Sequence, residues 1–256
     1  MSVLLLRLAG PMQSWGGASR HMTRYTLSTP TKSGIVGLLA AALGRRRGDD
    51  LSDLAALRFG VRVDQPGRLL VDYHTVSAAS HAPGHPARQR MPTSSGGSLK
   101  PADSTKVTRR YYIADAVFIA ALEAQPDLAQ TLADALRRPR YPLYLGRRSC
   151  PPARPVLIGI EEDASLEAAL EQAPWQAGPA ERARHEADGE IELAIAVEDP
   201  AGTDTFPDQP LPSPAFSRRF AERPVSHRTV RIRMPEAPAS RTGPAAPHDP
   251  MSLLER

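Results

Sequence analysis

Apolar residues near the start of the chain form two runs with different patterns. Residues 3–9, VLLLRLA, are nearly all apolar, which predicts a mostly buried strand. Residues 30–44, PTKSGIVGLLAAALG, predict a helix that begins near Lys32 and ends at Gly44, because glycine commonly follows the last helical residue. This helix is apolar on nearly every side, so we expect it to be buried.

Short apolar or alternating runs predict four further strands. Residues 59–67, FGVRVDQPG, alternate and end in a turn, and residues 68–76, RLLVDYHTV, form the next strand. Residues 115–123, DAVFIAALE, and 155–162, PVLIGIEE, predict strands of the core.

Three further stretches have helical character. A short helix is expected near residues 50–57. Residues 127–139, DLAQTLADALRRP, place three leucines four positions apart, which is typical of an amphipathic helix. Residues 164–173, ASLEAALEQA, predict another short helix.

Residues 78–106 interrupt this pattern, because they are rich in Ser, Ala, Gly and Pro and have no apolar period. A long loop inside a compact domain is usually functional or disordered. The remaining order is strand, helix, strand, insertion, strand, helix, strand. This is the split βαβ order of the ferredoxin-like fold, which RRM modules share. We therefore predict an α+β protein with a ferredoxin-like (RRM-like) domain and an inserted segment.

The pattern weakens after about Trp175. Residues 190–199, EIELAIAVED, and 229–235, TVRIRMP, predict strands of a smaller, mainly β C-terminal part. The expected organisation is a ferredoxin-like domain at 1–160 with an insertion at about 74–110, a smaller part at 161–234, and a Pro-rich flexible tail at 235–256.

Charge is distributed unevenly along the chain. The net charge is +4, yet residues 161–199 hold 12 acidic residues and two arginines, a net of −10, which leaves +14 for the rest. Such asymmetry fits a basic face that meets a polyanion, and it equally fits a solvated arginine-rich surface. From His74 to Arg110 there are six Lys and Arg against one acidic residue, Asp103.

Composition also indicates the compartment. No apolar run reaches membrane-spanning length, and the first residues lack the basic segment and cleavage site of a signal peptide. The single cysteine, Cys150, rules out an internal disulfide framework and fits a reducing compartment. We expect a cytoplasmic protein that does not bind a membrane.

The stretch YPLYLGRRSCPP, residues 141–152, carries the clearest binding signal. Six arginines and no acidic residue lie between Arg137 and Arg154, which predicts an anionic partner. Arginine matches phosphate geometry and stacks on bases, and Gly146 allows close backbone approach. Tyrosines interleave with these arginines, and no recognition helix for duplex DNA is visible, so single-stranded RNA fits better.

Other site chemistries have little support. TPTKSG, residues 29–34, lacks the second glycine of a P-loop, which leaves either a phosphate site at the helix start or simple N-capping with a surface lysine. Pro83 and Pro86 forbid the helix that would align His81 and His85 on a metal, so no metal site is expected, and Cys150 has no evident base beside it. No cofactor motif is present.

Five blocks, taken in order, resemble one family: LAGPMQSWG at 8–16, PTKSGIVGLLAAALG at 30–44, DYHTV at 72–76, RYYIADAVF at 110–118 and YLGRRSCPP at 144–152. They are similar to the CasD family, a subunit of the type I-E CRISPR Cascade complex. RRFAER at 218–223 also resembles that family's C-terminal region. The similarity is strong over residues 1–160 and thin beyond.

The resemblance implies a non-catalytic subunit that binds and caps the 5′ handle of CRISPR RNA, in a complex that recognises foreign double-stranded DNA through its guide. Handle contacts are implied in the first loop at Gln13, Ser14 and Trp15. Phosphate contacts are implied at Thr31, Lys32 and Ser33. The remaining implied RNA-binding residues are Arg24, Arg110, Tyr144, Gly146, Arg147 and Arg148.

The implied partners are CRISPR RNA, the Cascade backbone subunit, the large PAM-reading subunit and, through the assembled complex, target DNA. No metal or cofactor is implied. The resemblance also implies a thumb that protrudes from the ferredoxin-like domain, here the insertion at about 74–110. The segment 78–106 is longer and richer in Gly and Pro than the family's thumb, and the acidic segment and the tail lack a clear counterpart.

Two alternatives remain open. Related type I-C subunits are metal-independent endoribonucleases that process precursor CRISPR RNA, and such cleavage needs a general base and acid. The candidates for those roles are His21, Tyr25, Lys32, Tyr73 and His74. The other alternative is a protein–protein scaffold whose arginines pair with acidic partners, and a strong salt dependence of RNA binding would argue against it.

Overall fold

The structure is a computed structural model that describes residues 1–16, 22–77, 105–185, 189–212 and 219–233. The strands are β1 (Ser2–Ala9), β2 (Met12–Gln13), β3 (Thr23–Arg24), β4 (Arg58–Gln65), β5 (Arg68–Ser77), β6 (Thr105–Ala114), β7 (Val117–Ala124), β8 (Leu157–Glu162), β9 (Glu190–Glu198), β10 (Asp204–Leu211) and β11 (Arg219–Arg233). The helices are α1 (Lys32–Leu43), α2 (Ser52–Ala55), α3 (Pro126–Arg137), α4 (Leu166–Gln172) and α5 (Pro179–Arg184).

A large sheet organises the chain. Its seven strands run in the order β10-β11-β9-β4-β7-β1-β8, and every neighbouring pair is antiparallel. The protein is therefore a mixed α+β structure with one large antiparallel sheet and few helices.

Helices cover both faces of the large sheet around β1. Leu4, Leu6 and Leu8 point to the face packed by α1 and α3, whereas Val3 and Leu5 point to the face packed by α4. Alternate residues of a strand face opposite sides, so covering both faces requires a continuous apolar run. This explains why residues 3–9 lack polar alternation.

The predicted bounds of α1 are confirmed. The Thr31 side chain accepts a hydrogen bond from the Gly34 N–H, which caps the first turn. Gly44 ends the helix in a left-handed conformation with φ of 80°. A Cβ at Gly34 would lie 2.9 Å from the Trp15 ring, so this glycine lets α1 pack directly on the first loop.

A small second sheet carries the base of the predicted thumb. β5 and β6 form an antiparallel ladder from Arg68↔Ala114 to Ser77↔Thr105, and β2 and β3 pair with the other edge of β6. The predicted thumb limits, about 74–110, therefore fall inside β5 and β6. Residues 78–104 lie outside the described residues, as does the predicted tail at 235–256.

The strands of the predicted C-terminal part do not form a separate sheet. β9 pairs with β4, and β11 and β10 follow, so these strands extend the large sheet. Pairing covers the edge that β4 would otherwise expose. Within the described residues, no helix is long and apolar enough to span a membrane.

Candidate nucleic-acid interface

The loop of residues 144–150, here the GRR loop, is fixed against the first loop, residues 10–16. The Ser14 N–H donates to the Leu145 carbonyl at 3.1 Å, and the Leu145 N–H donates to the Cys150 carbonyl at 2.7 Å. The Cys150 N–H closes the turn by donating to the Arg147 carbonyl at 2.9 Å. With the Leu145 side chain fully buried, the GRR loop is a fixed surface.

Gly146 lies where the two loops touch. Its φ is +83°, a conformation that favours glycine, and an added Cβ would lie 1.8 Å from the Ser14 carbonyl oxygen. The close approach that the sequence predicts for this glycine is therefore made to the protein's own first loop.

Arg147 ties the GRR loop to the small sheet. Its guanidinium donates to the carbonyl of Tyr111 at 3.2 Å and to the carbonyl of Arg24 at 2.9 Å. It also lies over the ring of Tyr112, 4.9 Å from the ring centroid. These contacts make Arg147 a positioning residue that holds β3, β6 and the GRR loop together.

The predicted contact residues of the first loop are turned inward. Gln13 donates to the carbonyls of Leu8 and Ala116 at 2.9 and 2.8 Å, and its own side-chain oxygen accepts from the Trp15 indole N–H at 3.1 Å. Ser14 donates its hydroxyl to the Tyr111 carbonyl at 3.0 Å. All three predicted side chains, those of Gln13, Ser14 and Trp15, are buried. Their geometry supports a positioning role, and direct RNA contact stays a prediction.

Other predicted residues face outward around this junction. Arg24 and Arg148 are exposed, and Tyr144 is half-buried. Arg110 pairs in register with Arg24 across β3 and β6. Its Nε is buried and has no hydrogen-bond partner among the described residues. A buried donor without a partner costs free energy.

The start of α1 already holds protein carboxylates. The Lys32 N–H donates to Asp208 at 2.7 Å, and the Lys32 ammonium bonds Glu198 at 2.8 Å while only 1% exposed. Burial lowers the pKa of Lys32, and the hydrogen bond to Glu198 opposes that effect. Asp208 also accepts two hydrogen bonds from Arg223.

Asp208 thus occupies the anion position that the helix N-terminus offers. Thr31 is buried and Ser33 is half-buried beside it. The predicted phosphate contacts at Thr31, Lys32 and Ser33 stay predictions, and for Lys32 a phosphate would have to compete with two carboxylates.

The six arginines between residues 137 and 154 do not form one cluster. Arg140 packs its side chain against Gly44 at the end of α1. Arg147 instead contacts β3 and β6 through Arg24, Tyr111 and Tyr112. Arg137 and Arg154 line a groove between α3 and β8. The GRR loop therefore contributes two arginines to the junction, and the others serve elsewhere.

Comparisons with known proteins agree with this geometry. The family model described as CRISPR-associated protein (Cas_Cas5) matches residues 3–226. The chain belongs to the Cas_Cas5 family. It is 40% identical over 176 residues to the CRISPR system Cascade subunit CasD of Escherichia coli (strain K12), covering 66% of this chain and 75% of that protein.

Two solved structures are similar over nearly the whole chain. One is a chain of a CRISPR RNA-guided surveillance complex, with a TM-score of 0.73, 35% identity and coverage of 90% of this chain and 91% of that chain. The other is described as a crystal structure of a Cas protein, with a TM-score of 0.66, 38% identity and coverage of 92% and 100%. The resemblance found in the sequence is confirmed at the level of the family.

Lys32 and His74, two of the residues named for RNA cleavage, already have carboxylate partners in this Cas_Cas5 protein. The His74 ring is hydrogen-bonded to Asp72 on β5, Tyr73 is exposed, and Lys32 is buried against Glu198. His21 lies outside the described residues, as do His81 and His85. Burial raises the pKa of the Cys150 thiol, which works against its use as a nucleophile.

Sequence reasoning missed the residues that hold the site together. The Tyr111 carbonyl joins Ser14 and Arg147, and Glu198 and Asp208 hold Lys32 from 166 and 176 residues away. The amino-acid sequence does not show which backbone carbonyl accepts a hydrogen bond. It also shows no local pattern for an ion pair between residues so far apart in the chain. The acidic segment was noted for its charge, and Glu198 belongs to it.

Proposed function

We propose that this chain is a subunit of a CRISPR Cascade complex of type I-E, in which it binds and caps the 5′ handle of the CRISPR RNA. The observation that carries the proposal is the locked junction of the GRR loop and the first loop, with Arg24, Arg110 and Arg148 around it. The names of the similar proteins, a Cascade subunit and an RNA-guided surveillance complex, support the same role.

In this proposal the junction works as a prepared surface. The guanidinium of Arg147 donates hydrogen bonds to backbone carbonyls and so keeps β3 and the GRR loop in place. Arg148 and Arg24, which are exposed, then contact phosphates from fixed positions, and the half-buried Arg110 supplies a further positive charge. A surface ordered before binding loses less conformational entropy when RNA arrives.

The ferredoxin-like arrangement belongs to the same proposal. The order β4-β7-β1-β8, with α1 and α3 on one face, supports a βαββαβ core interrupted by the β5–β6 hairpin. We place the thumb on that hairpin. The backbone subunit, the large PAM-reading subunit and, through the assembled complex, target DNA are the proposed partners.

The role is non-catalytic in this proposal. The carboxylate partners of Lys32 and His74 support binding without cleavage. A single assay of binding and integrity separates this role from an endoribonuclease, because cleavage products would be visible in the same samples.

The test compares repeat RNA with and without its 5′ handle, bound to the full chain across a salt series. Arg148→Ala should weaken handle binding by about tenfold, the effect of one charge-assisted hydrogen bond. It should also reduce the salt slope by about 0.7, since one phosphate contact on a single strand is lost. Arg46→Ala, an exposed arginine after α1, is the matched control.

Handle-dependent binding to intact RNA, weakened by Arg148→Ala and unchanged by Arg46→Ala, supports the proposal. Equal affinity for RNA with and without the handle would overturn it. Specific cleavage of the repeat without metal would replace it with the endoribonuclease.

A further inference from the structure

One face of the small sheet gathers aromatic and apolar side chains. Directly opposed residues share a face, and so do residues two apart along a strand. The register Val71↔Tyr111 and Tyr73↔Arg109 therefore places these four side chains together. On the other side of β6, Thr23 pairs with Arg109 and Tyr25 lies next to Tyr111, with ring centroids 5.0 Å apart. We call this the tyrosine face.

The tyrosine face is open to solvent. Tyr73 is 62% exposed, Tyr25 56% and Val71 50%, and Leu69 continues the same side of β5 at 66%. Aromatic side chains carry large apolar area and are usually at least half covered in a folded chain. A contiguous exposed group of this kind marks a binding surface.

The positive charge of this face favours a negatively charged ligand. Arg109 lies on the face itself, whereas Arg24, Arg68 and Arg110 occupy alternate positions of the same three strands and point to the opposite face, as does Asp72. The one carboxylate of the described parts of these strands, Asp72, is paired with His74. Flat aromatic rings beside arginines fit a ligand with planar apolar rings and negative charge, which describes unpaired bases on a phosphate backbone.

We propose that the tyrosine face stacks unpaired bases of single-stranded RNA, with Tyr25 and Tyr73 as the two stacking rings and Arg109 as the neighbouring cation. This inference rests on the proposed function, because the RNA is the strand that the GRR loop binds. Arg147 links the two surfaces, since its guanidinium donates to the carbonyls of Tyr111 and Arg24 beneath the face. The tyrosine face stacks on bases, while the GRR loop binds phosphates.

The test uses the full chain and two RNA probes. One is repeat RNA with its 5′ handle, and the other is the same strand with abasic sites throughout, which keeps the phosphates and removes the bases. The variant is the double substitution Tyr25→Ala with Tyr73→Ala. The matched controls are Tyr25→Phe with Tyr73→Phe, which keeps the rings, and Tyr141→Ala, a 42% exposed tyrosine outside the small sheet.

We expect the alanine variant to bind intact RNA about 10- to 100-fold more weakly, the loss measured when a stacking ring is removed. Its affinity for the abasic strand should equal that of the unaltered chain, and both controls should bind intact RNA normally. Quenching of a fluorescent base analogue on binding should be lost in the alanine variant and kept in the phenylalanine variant.

Three results would overturn the inference. Unchanged affinity of the alanine variant for intact RNA would show that the rings do not stack bases while leaving the RNA-binding role standing. Failure of the unaltered chain to bind either probe would refute the proposed function as well. If the alanine variant binds RNA normally but no longer enters the assembled complex, the face binds a protein partner instead.

Discussion

Replacing Gly146 with alanine tests the junction on which the account depends. The new Cβ would lie 1.8 Å from the Ser14 carbonyl oxygen, where ordinary contacts begin beyond 3.4 Å. The backbone itself must move, because the obstructing atom is a carbonyl and not the end of a flexible side chain. Movement of the first loop breaks the hydrogen bond from the Ser14 N–H to Leu145.

The cost follows from three contributions. A left-handed conformation costs a residue with a Cβ about 1–2 kcal/mol. The lost hydrogen bond costs about 1 kcal/mol, and relief of the overlap adds about 1 kcal/mol. The total is about 3–4 kcal/mol, and a domain of this size loses about 2–4 °C of Tm for each kcal/mol. We expect Tm to fall by about 6–16 °C.

The assay is thermal unfolding of the full chain, followed by handle RNA binding at a temperature where both proteins are folded. Gly159→Ala is the matched control, since a Cβ there meets nothing within 4 Å and φ is not in the left-handed region. It should change stability by less than about 1 kcal/mol. Gly146→Ala should also bind the handle more weakly because the GRR loop is displaced.

A Tm for Gly146→Ala within 2–3 °C of the unaltered protein, on the scale of about 2–4 °C per kcal/mol, would refute this reasoning. It would mean that the two loops are not in close contact. Normal RNA affinity in a destabilised variant would separate stability from binding and show that the junction does not position the RNA.

Two further predictions concern groups close to the interface. Asp208→Asn should lower the free energy of unfolding by about 3–5 kcal/mol, because it leaves the buried Arg223 without its carboxylate; urea denaturation measures this, and a change below about 1 kcal/mol would contradict the pairing. Cys150 should react slowly with a thiol reagent in the native protein, since burial raises its pKa, and faster in Gly146→Ala, where the GRR loop is displaced; equal labelling rates in native and urea-unfolded protein would show that the thiol is not buried.

Local patterns were sufficient for the elements that carry the core. The bounds of α1 were predictable because Thr31 and Gly44 are capping signals within the sequence of the helix itself. The continuous apolar run of residues 3–9 was predictable as a buried strand for a similar reason. By contrast β2 and β3 have two residues each, too few to show any period. They exist because β6 offers them an edge.

The sequence indicated which loops belong to the junction, but it did not indicate how these loops contact each other. Gly146 and its two arginines stood out by composition, and so did the inserted segment beside β5 and β6. The division of labour between Arg147 and Arg148 did not, because it depends on which guanidinium reaches the carbonyls of Tyr111 and Arg24. The burial of Gln13 and Trp15 was likewise hidden, since a loop flanked by Gly and Pro reads as exposed.

The attachment of β9 to β4 shows a further limit of local reasoning. Residues 190–199 were predicted as a strand, and β9 occupies Glu190–Glu198. Its placement in the large sheet brings Glu198 to Lys32, and β10 brings Asp208 to the same helix start. Strand pairing over such separations leaves no signal in one sequence.

Crosslinking tests the central claim most directly. A photoreactive uridine is placed at each position of the 5′ handle, the full chain is irradiated with the RNA, and crosslinked peptides are identified by mass spectrometry. The account predicts crosslinks to the GRR loop around Arg148 and to β3 and β6 around Arg24 and Arg110. Crosslinks confined to other surfaces, such as the groove between α3 and β8, would show that the handle is held elsewhere.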